Sequence, residues 1–490
     1  MPAELDSPTA PAAKHPAWFT PKRLLILFVS MSMLVYMDRG VIASTGVKGS
    51  RGNADEPPSG ITGRFDLSET KDGSLFSAFM AGLLVGSPAF AEASKYYNPF
   101  RVIALGLAAW CVASVGCACS TSFPMLFICR CFVGLGEASF CSLASPFIDD
   151  VAPTGAKTRW LAIFFLTIPV GVATGFIFGG VVGKAAGWRA PFVLQAIFMV
   201  PFVIFCSRCE PLSLKGTVTA GQSQPGDDAS TPPKKPDLMT VLRSFMSDMV
   251  ALVRLPLFTL TCLALAAHTA TVGCYSYYGP KAASELFHLG SADIVFGACT
   301  VLTGVAGTLA GGIFLDKGRA TVALALSFCA VACCVAFVLL MIAFQARTLG
   351  LFIPIFALGE LALFSINACV NAAILWSVPL RLRQLAMSST TIAIHVFGDV
   401  PAPPIIGRIQ DASGNWRLSL GVVTCSLIVS AALFGLSAVL AKRKPPDGRH
   451  GVAPARDSEQ HCVVDDDQAP LLAAEPLQES SSSASGDVER

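Results

Sequence analysis

Residues 130–137 read Arg130-Cys-Phe-Val-Gly-Leu-Gly-Glu137, two opposite charges and two glycines inside an apolar run from 123 to 150. An ionisable side chain near the middle of a bilayer costs on the order of 3 kcal/mol by insertion scales. A chain keeps one there only where it faces protein or water. Upstream, Asp38-Arg39 lies in the same way inside the run 24–46. The charges come as acid–base sets, which mark a polar pathway through a helix bundle.

The rest of the chain supplies the bundle. It is 53% hydrophobic and 14% charged, with a mean hydropathy of +0.61, where a soluble domain carries roughly 25% charge. Apolar runs of about 20 residues between short polar loops require a membrane, and unbroken runs without period-two alternation require helices. Twelve spans follow, at 24–46, 73–94, 101–121, 123–150, 159–184, 189–208, 254–286, 291–315, 320–345, 349–376, 384–408 and 416–441. The expected fold is an all-α polytopic membrane protein. Most of the 17 cysteines lie in apolar spans, without metal-ligand spacing, and read as small buried hydrophobes.

An internal repeat organises the spans. Leu135-Gly136-Glu137 recurs 223 residues later as Leu358-Gly359-Glu360, and Trp188-Arg189 recurs 228 residues later as Trp416-Arg417. Two matches at nearly one offset imply duplicated six-helix units in parallel orientation, the arrangement of the major facilitator superfamily, with the substrate site between the halves near the midplane. The boundaries read as an N-terminal segment 1–23, a first half 24–208, a linker 209–253, a second half 254–441 and a tail 442–490. Linker and tail are too polar to fold. Asp467-Gln-Ala-Pro-Leu471-Leu472 in the tail has the form of an acidic dileucine sorting signal for adaptor proteins.

Lys and Arg set the orientation. With the N-terminus in the cytosol, Lys22-Arg23, Lys157/Arg159, Lys234-Lys235, Lys317/Arg319, Arg381/Arg383 and Lys442-Arg443-Lys444 all fall inside. Both termini are then cytosolic. The first apolar run has no separate cleavage site and reads as a retained helix.

Depth arithmetic pairs the charges. At about 1.5 Å per residue, Asp38 stands roughly 20 Å along its helix and Arg130 roughly 11 Å below the opposite face of a core about 30 Å thick. An Asp38–Arg130 or an Arg39–Glu137 contact is therefore allowed. Glu137 can act as a proton carrier whose partner distance changes during transport, or as a static pin between helices. In the second half Glu360 and His395 reach the same depth. His395-Val-Phe-Gly398-Asp399-Val-Pro401-Ala-Pro403-Pro404 should break its helix and free carbonyls to line a cavity or meet a partner. Asn367 and Asn371, one turn apart, are polar candidates for the same cavity or for bridging helices. Gly171, Gly175, Gly179 and Gly183 form a small-residue stripe that reads as packing for halves that rock, with Gly304, Gly307 and Gly311 as a candidate opposite face.

The strings Tyr36-Met-Asp38-Arg39, Arg130-Cys-Phe-Val-Gly-Leu-Gly-Glu137-Ala-Ser139, Ile168-Pro169-Val-Gly171, Gly359-Glu360 and His395-x-x-Gly398-Asp399-x-Pro401 resemble the Spinster family of that superfamily, over roughly residues 24–440. The resemblance implies a proton-linked exporter or exchanger of lysophospholipids or sphingosine phosphates at lysosomal or plasma membranes. It assigns Asp38, Arg39, Arg130 and Glu137 to the polar cavity and proton coupling. One departure is Lys95, which stands where the superfamily's cytosolic loop usually has an acid.

The function expected is proton-coupled transport of an amphipathic lysolipid by alternating access, with substrate, protons and bilayer as partners and no nucleic acid. Neither a cofactor, a metal site nor an enzymatic triad is visible, and no G-x-x-x-x-G-K-[ST] loop points to an ATPase. The rivals are an exporter of small organic anions or drugs, and a non-transporting receptor or scaffold.

Overall fold

The computed structural model describes residues 19–52, 57–94, 97–153, 157–210, 247, 249–317, 321–379 and 382–443. Lys95, most of the linker and the Asp467-Leu471-Leu472 motif lie outside these residues. Every element described is helical apart from turns, and eleven helices are long and apolar enough to span a bilayer.

Local chemistry sets the helix starts. Thr20 caps the first span (Pro21–Ala43) by accepting from the Arg23 N–H, with Pro21 in the first turn where its missing donor costs nothing. Ser68 caps the second span (Glu69–Ala93), and Glu69 and Asp72 place negative charge in its first turn. Between these spans lie two short helices, Thr45–Lys48 and Gly60–Phe65. The third to sixth spans are Pro99–Cys119, Phe123–Val151, the pair Lys157–Phe165 and Thr167–Ala186, and Ala190–Arg208. The seventh to tenth are Pro256–Phe287, Ala292–Lys317, Val322–Gln345 and Leu349–Ser377. The twelfth comprises Trp416–Thr424 and Ser426–Arg443.

The eleventh crossing is the broken one, as its prolines require. It runs Arg383–Ile394, then a π-helical turn His395–Asp399, then Ala402–Ser413. Pro404 has no N–H to give the Val400 carbonyl. Ser77 of the second span donates to that carbonyl instead, at 2.5 Å. The freed acceptor is thus satisfied from the other half of the molecule.

The repeat is visible in the packing. In each half the second helix packs on the fourth, the third on the fourth and sixth, and the first on the fifth. The repeated Trp-Arg pair performs one task twice. Arg189 Nε donates to the Ala118 carbonyl at the end of the third span (2.8 Å), and Arg417 Nη1 donates to the Phe344 and Ala346 carbonyls at the end of the ninth (both 2.6 Å). The halves meet chiefly through the second span against Ala402–Ser413, and the fifth span against the eighth.

The glycine stripe has a different partner from the one expected. A Cβ on Gly175 would lie 2.1 Å from the Met37 carbonyl oxygen, and one on Gly179 would lie 2.3 Å from Ser44 Oγ. Gly171 meets Tyr36 in the same way. The stripe therefore seats the fifth span on the first, inside one half. Gly307 and Gly311 serve the same purpose between the eighth and tenth spans, against Leu361 and Ser365; only Gly304 faces the fifth span, at Pro169.

Candidate functional site

Four charges meet inside the first half. Arg130 Nη1 donates to Asp38 at 3.1 Å (Oδ1) and 2.9 Å (Oδ2), and both side chains are buried, at 1% and 0% exposure. Arg39 donates to Glu137 Oε1 from Nε at 3.0 Å and from Nη2 at 2.5 Å. Glu137 is wholly buried, whereas the Arg39 side chain keeps 18% of its surface exposed. Both pairings allowed by depth counting form together. Gly134 and Gly136 make this possible, because Gly134 lies against the Phe79 carbonyl and Gly136 against Gly106 and Trp110. The helix that carries Arg130 and Glu137 is thereby pressed close to two neighbours.

An aromatic side chain, which the sequence did not single out, joins the two pairs. Phe79 is fully buried, and both guanidiniums lie over its ring, Arg39 at 5.1 Å and Arg130 at 5.2 Å from the centroid. Arg39 also covers Tyr36 at 4.7 Å. Each cation thus sits between a carboxylate and a π face, which holds its charge in place away from bulk water. Glu137 Oε2 and Arg130 Nε are buried with no hydrogen-bond partner.

The second-half candidates separate into two places. Glu360 is buried and accepts from Thr303 Oγ1 at 3.1 Å and from the Cys299 thiol at 3.3 Å, both on the eighth span. Its described partners are neutral. His395 Nδ1 lies 2.9 Å from Asp399 Oδ2 across the π turn, and both residues are buried. Glu360 and His395, expected at one depth, have different partners. Asn371 is exposed and donates to the Asn367 carbonyl of its own helix at 2.8 Å. That bond spans one turn of the tenth helix.

A second cluster lies at the end of the bundle away from residues 19 and 443, the far end. Lys48 is fully buried and pairs with Asp72 Oδ2 at 2.9 Å. Tyr277 donates to Asp72, Tyr278 to the Glu69 carbonyl at 2.9 Å, and Lys281 to Glu69. Asp293 accepts from the Thr45 N–H at 2.8 Å and from its hydroxyl at 2.5 Å. Asp411 accepts from the Glu69 N–H at 2.7 Å and from the Thr70 N–H at 2.9 Å. All of these except Lys48–Asp72 join one half to the other. Sequence reasoning passed over this set, though Lys281 inside the seventh apolar run was a charge it had the means to notice.

Asp411 stands in the exposed last turn beyond the 384–408 apolar run. Partial burial works to raise its carboxyl's pKa, but the Thr70 hydroxyl and the Thr70 and Glu69 N–H groups outweigh that and hold it below the ordinary aspartate value. Among the described residues no group of His, Cys, Asp and Glu has the arrangement of a metal site, and every described cysteine is free.

Comparison with known proteins gives the family and the fold. Residues 28–403 match the family model of the Major Facilitator Superfamily. A probable sphingolipid transporter, spinster homolog 2 of Arabidopsis thaliana, is 42% identical over 90% of this chain and 91% of its own. A sphingosine-1-phosphate transporter of Danio rerio is 26% identical over 84% of this chain and 82% of its own. The crystal structure of a bacterial homolog of the human lysosomal transporter Spinster, in an inward-facing and unoccupied conformation, superposes with a TM-score of 0.69. It covers 88% of this chain and all of its own at 16% identity.

Proposed function

We propose, on the premise that this chain belongs to the Spinster family of the major facilitator superfamily, that it moves a lysophospholipid or sphingoid phosphate across a membrane by proton-coupled alternating access. The protein is a multi-pass membrane transporter and not an enzyme. Substrate class, coupling ion and membrane are the steps proposed beyond that.

The observation that carries the reading is the unequal exposure of the two arginines. Arg130 is sealed by Asp38, while Arg39 keeps surface open beside Glu137. Arg39 is therefore the cation that meets an anionic head group, and Arg130 holds the frame. A phosphate that approaches Arg39 competes with Glu137 for the same N–H donors. Protonation of Glu137 removes the competing charge and releases the guanidinium, so proton and anion are taken up together. When the proton leaves, the carboxylate reclaims Arg39 and expels the head group. Apolar walls of the bundle take the hydrocarbon tail.

The far-end contacts support a state closed on that side. With the basic residues near the termini placed in the cytosol, the far end faces the lumen or the exterior, in an endolysosomal or plasma membrane. The test is uptake of a labelled lysolipid into proteoliposomes under an imposed pH gradient. Gradient-driven uptake that Glu137→Gln abolishes supports the reading; equal uptake with and without a gradient contradicts proton coupling.

A further inference from the structure

Lys48 follows the first span by five residues, yet no part of it reaches solvent. Its ammonium pairs with Asp72 and donates to the Tyr277 carbonyl at 2.8 Å. It also lies 3.4 Å from the centroid of the Tyr277 ring and 4.4 Å from that of Tyr278. The Tyr277 hydroxyl closes the figure by donating to Asp72, with the backbone carbonyl at 2.7 Å and Oδ1 at 3.0 Å. A cation desolvated between two aromatic rings is held at the strong end of the cation–π range.

These contacts divide according to which half supplies the partner. Lys48 and Asp72 both belong to the first half, so their ion pair travels with it. The carbonyl, the two rings and the hydroxyl come from the seventh span, in the second half. A residue biases an equilibrium between two conformations only through contacts that differ between them. The ion pair is common to both states and cancels. The tyrosine contacts exist only while the far end is shut.

We infer that Lys48 sets the balance between far-closed and far-open states, by filling a tyrosine cage that must release it in every transport cycle. This rests on the alternating-access reading above. Lys48 and its partner Asp72 are the most deeply buried charges among the far-end contacts. Of the two, Lys48 is the one whose charge lies over the rings of the opposite half while remaining neutralised by its own.

Hydrogen–deuterium exchange of the full-length protein in lipid nanodiscs, with neither substrate nor pH gradient present, tests this. Lys48→Met is expected to speed exchange at the far-end segments 60–75 and 402–413 by about tenfold or more, the scale of losing one desolvated ring contact. Segments 139–151 and 369–379, at the opposite end of the bundle, should exchange more slowly. Tyr277→Phe, which keeps the ring and carbonyl, should shift both in the same direction by less. Lys48→Met with Asp72→Asn separates the cage from the strain of an unpaired carboxylate, and the far-end opening should persist. A uniform rise at both ends overturns the inference, because it reports plain destabilisation. So does a far end that is unchanged, or one restored by Asp72→Asn. As the readout uses no substrate, a failure to transport lysolipids would leave it intact and would instead overturn the proposed cargo.

Discussion

Arg39 spends two donors on one oxygen of Glu137, Oε1, and leaves the other oxygen, Oε2, buried and without a partner. A pair built only to pin two helices gains most from a two-oxygen fork. The one-sided arrangement leaves a buried acceptor that a proton satisfies at once. Substitution of Glu137 by Gln keeps an oxygen for Arg39 while removing the charge. Gradient-driven uptake should fall by about tenfold or more, the effect of losing roughly 1.4 kcal/mol or more of coupling. Substrate exchange without a gradient should survive, measured as counterflow in proteoliposomes.

Asp38 and Arg130 are predicted to behave differently, as structure and not as carriers. Both are sealed from solvent. Asp38→Asn leaves an uncompensated buried guanidinium, a change that costs about 3–5 kcal/mol in comparable pairs. Thermal unfolding of the detergent-solubilised protein should show a clear loss, and Asp38→Asn with Arg130→Met should recover part of it. Full recovery of transport in the double variant would give these residues a scaffold role only.

How much of this was legible in the sequence follows from what each signal measures. Hydropathy and the Leu-Gly-Glu and Trp-Arg repeats specify the spans and halves, because lipid imposes length and apolarity on each helix independently of its neighbours. The midplane pairs were legible because depth along a helix is arithmetic. Helix rotation is not, so Phe79 between the two arginines had no sequence signature. The glycine stripe shows the same limit. Its spacing announces a close crossing and says nothing of the partner, which is the first span and not the opposite half. Lys48 and Asp411 escaped notice because they sit where the apolar runs end, and there an ionisable residue is ordinary until its contacts are known.

The stripe gives its own prediction. Gly175→Ala places a methyl group against the Met37 backbone, which cannot swing aside, so the first and fifth spans must separate. Overpacking of this kind costs about 1–3 kcal/mol. Gly350, with open space around its Cα, is the control. A thermal-stability assay should show a loss for Gly175→Ala and little change for Gly350→Ala.

The far-end closure should tolerate acid. The Asp411 carboxyl is held below its ordinary value while the closure stands. A lowered carboxyl contributes its stabilisation fully above the ordinary pKa of about 3.9, and that contribution is lost as pH falls through the lower, closed-state value. Nearby Glu69, Asp72 and Lys281 share the site, so the reading is taken as the difference from Asp411→Asn. Exchange protection of 60–75 should differ between wild type and variant by the same amount from pH 7 to pH 5. It should converge only below about pH 4.

Cargo is separated by competition. Uptake of a labelled sphingoid phosphate should be blocked by unlabelled lysophospholipid and left unaffected by an equal concentration of a small soluble organic anion. Inhibition by the soluble anion alone would favour the small-anion exporter.

The most direct measurement is proton movement itself, followed with a pH-sensitive dye trapped in proteoliposomes when lysolipid is added to one side. Wild type should move protons together with substrate, and Glu137→Gln should move substrate by exchange without proton flux. Proton flux that persists undiminished in Glu137→Gln, or substrate flux in wild type with no proton movement, would contradict the assignment of Glu137 as the carrier.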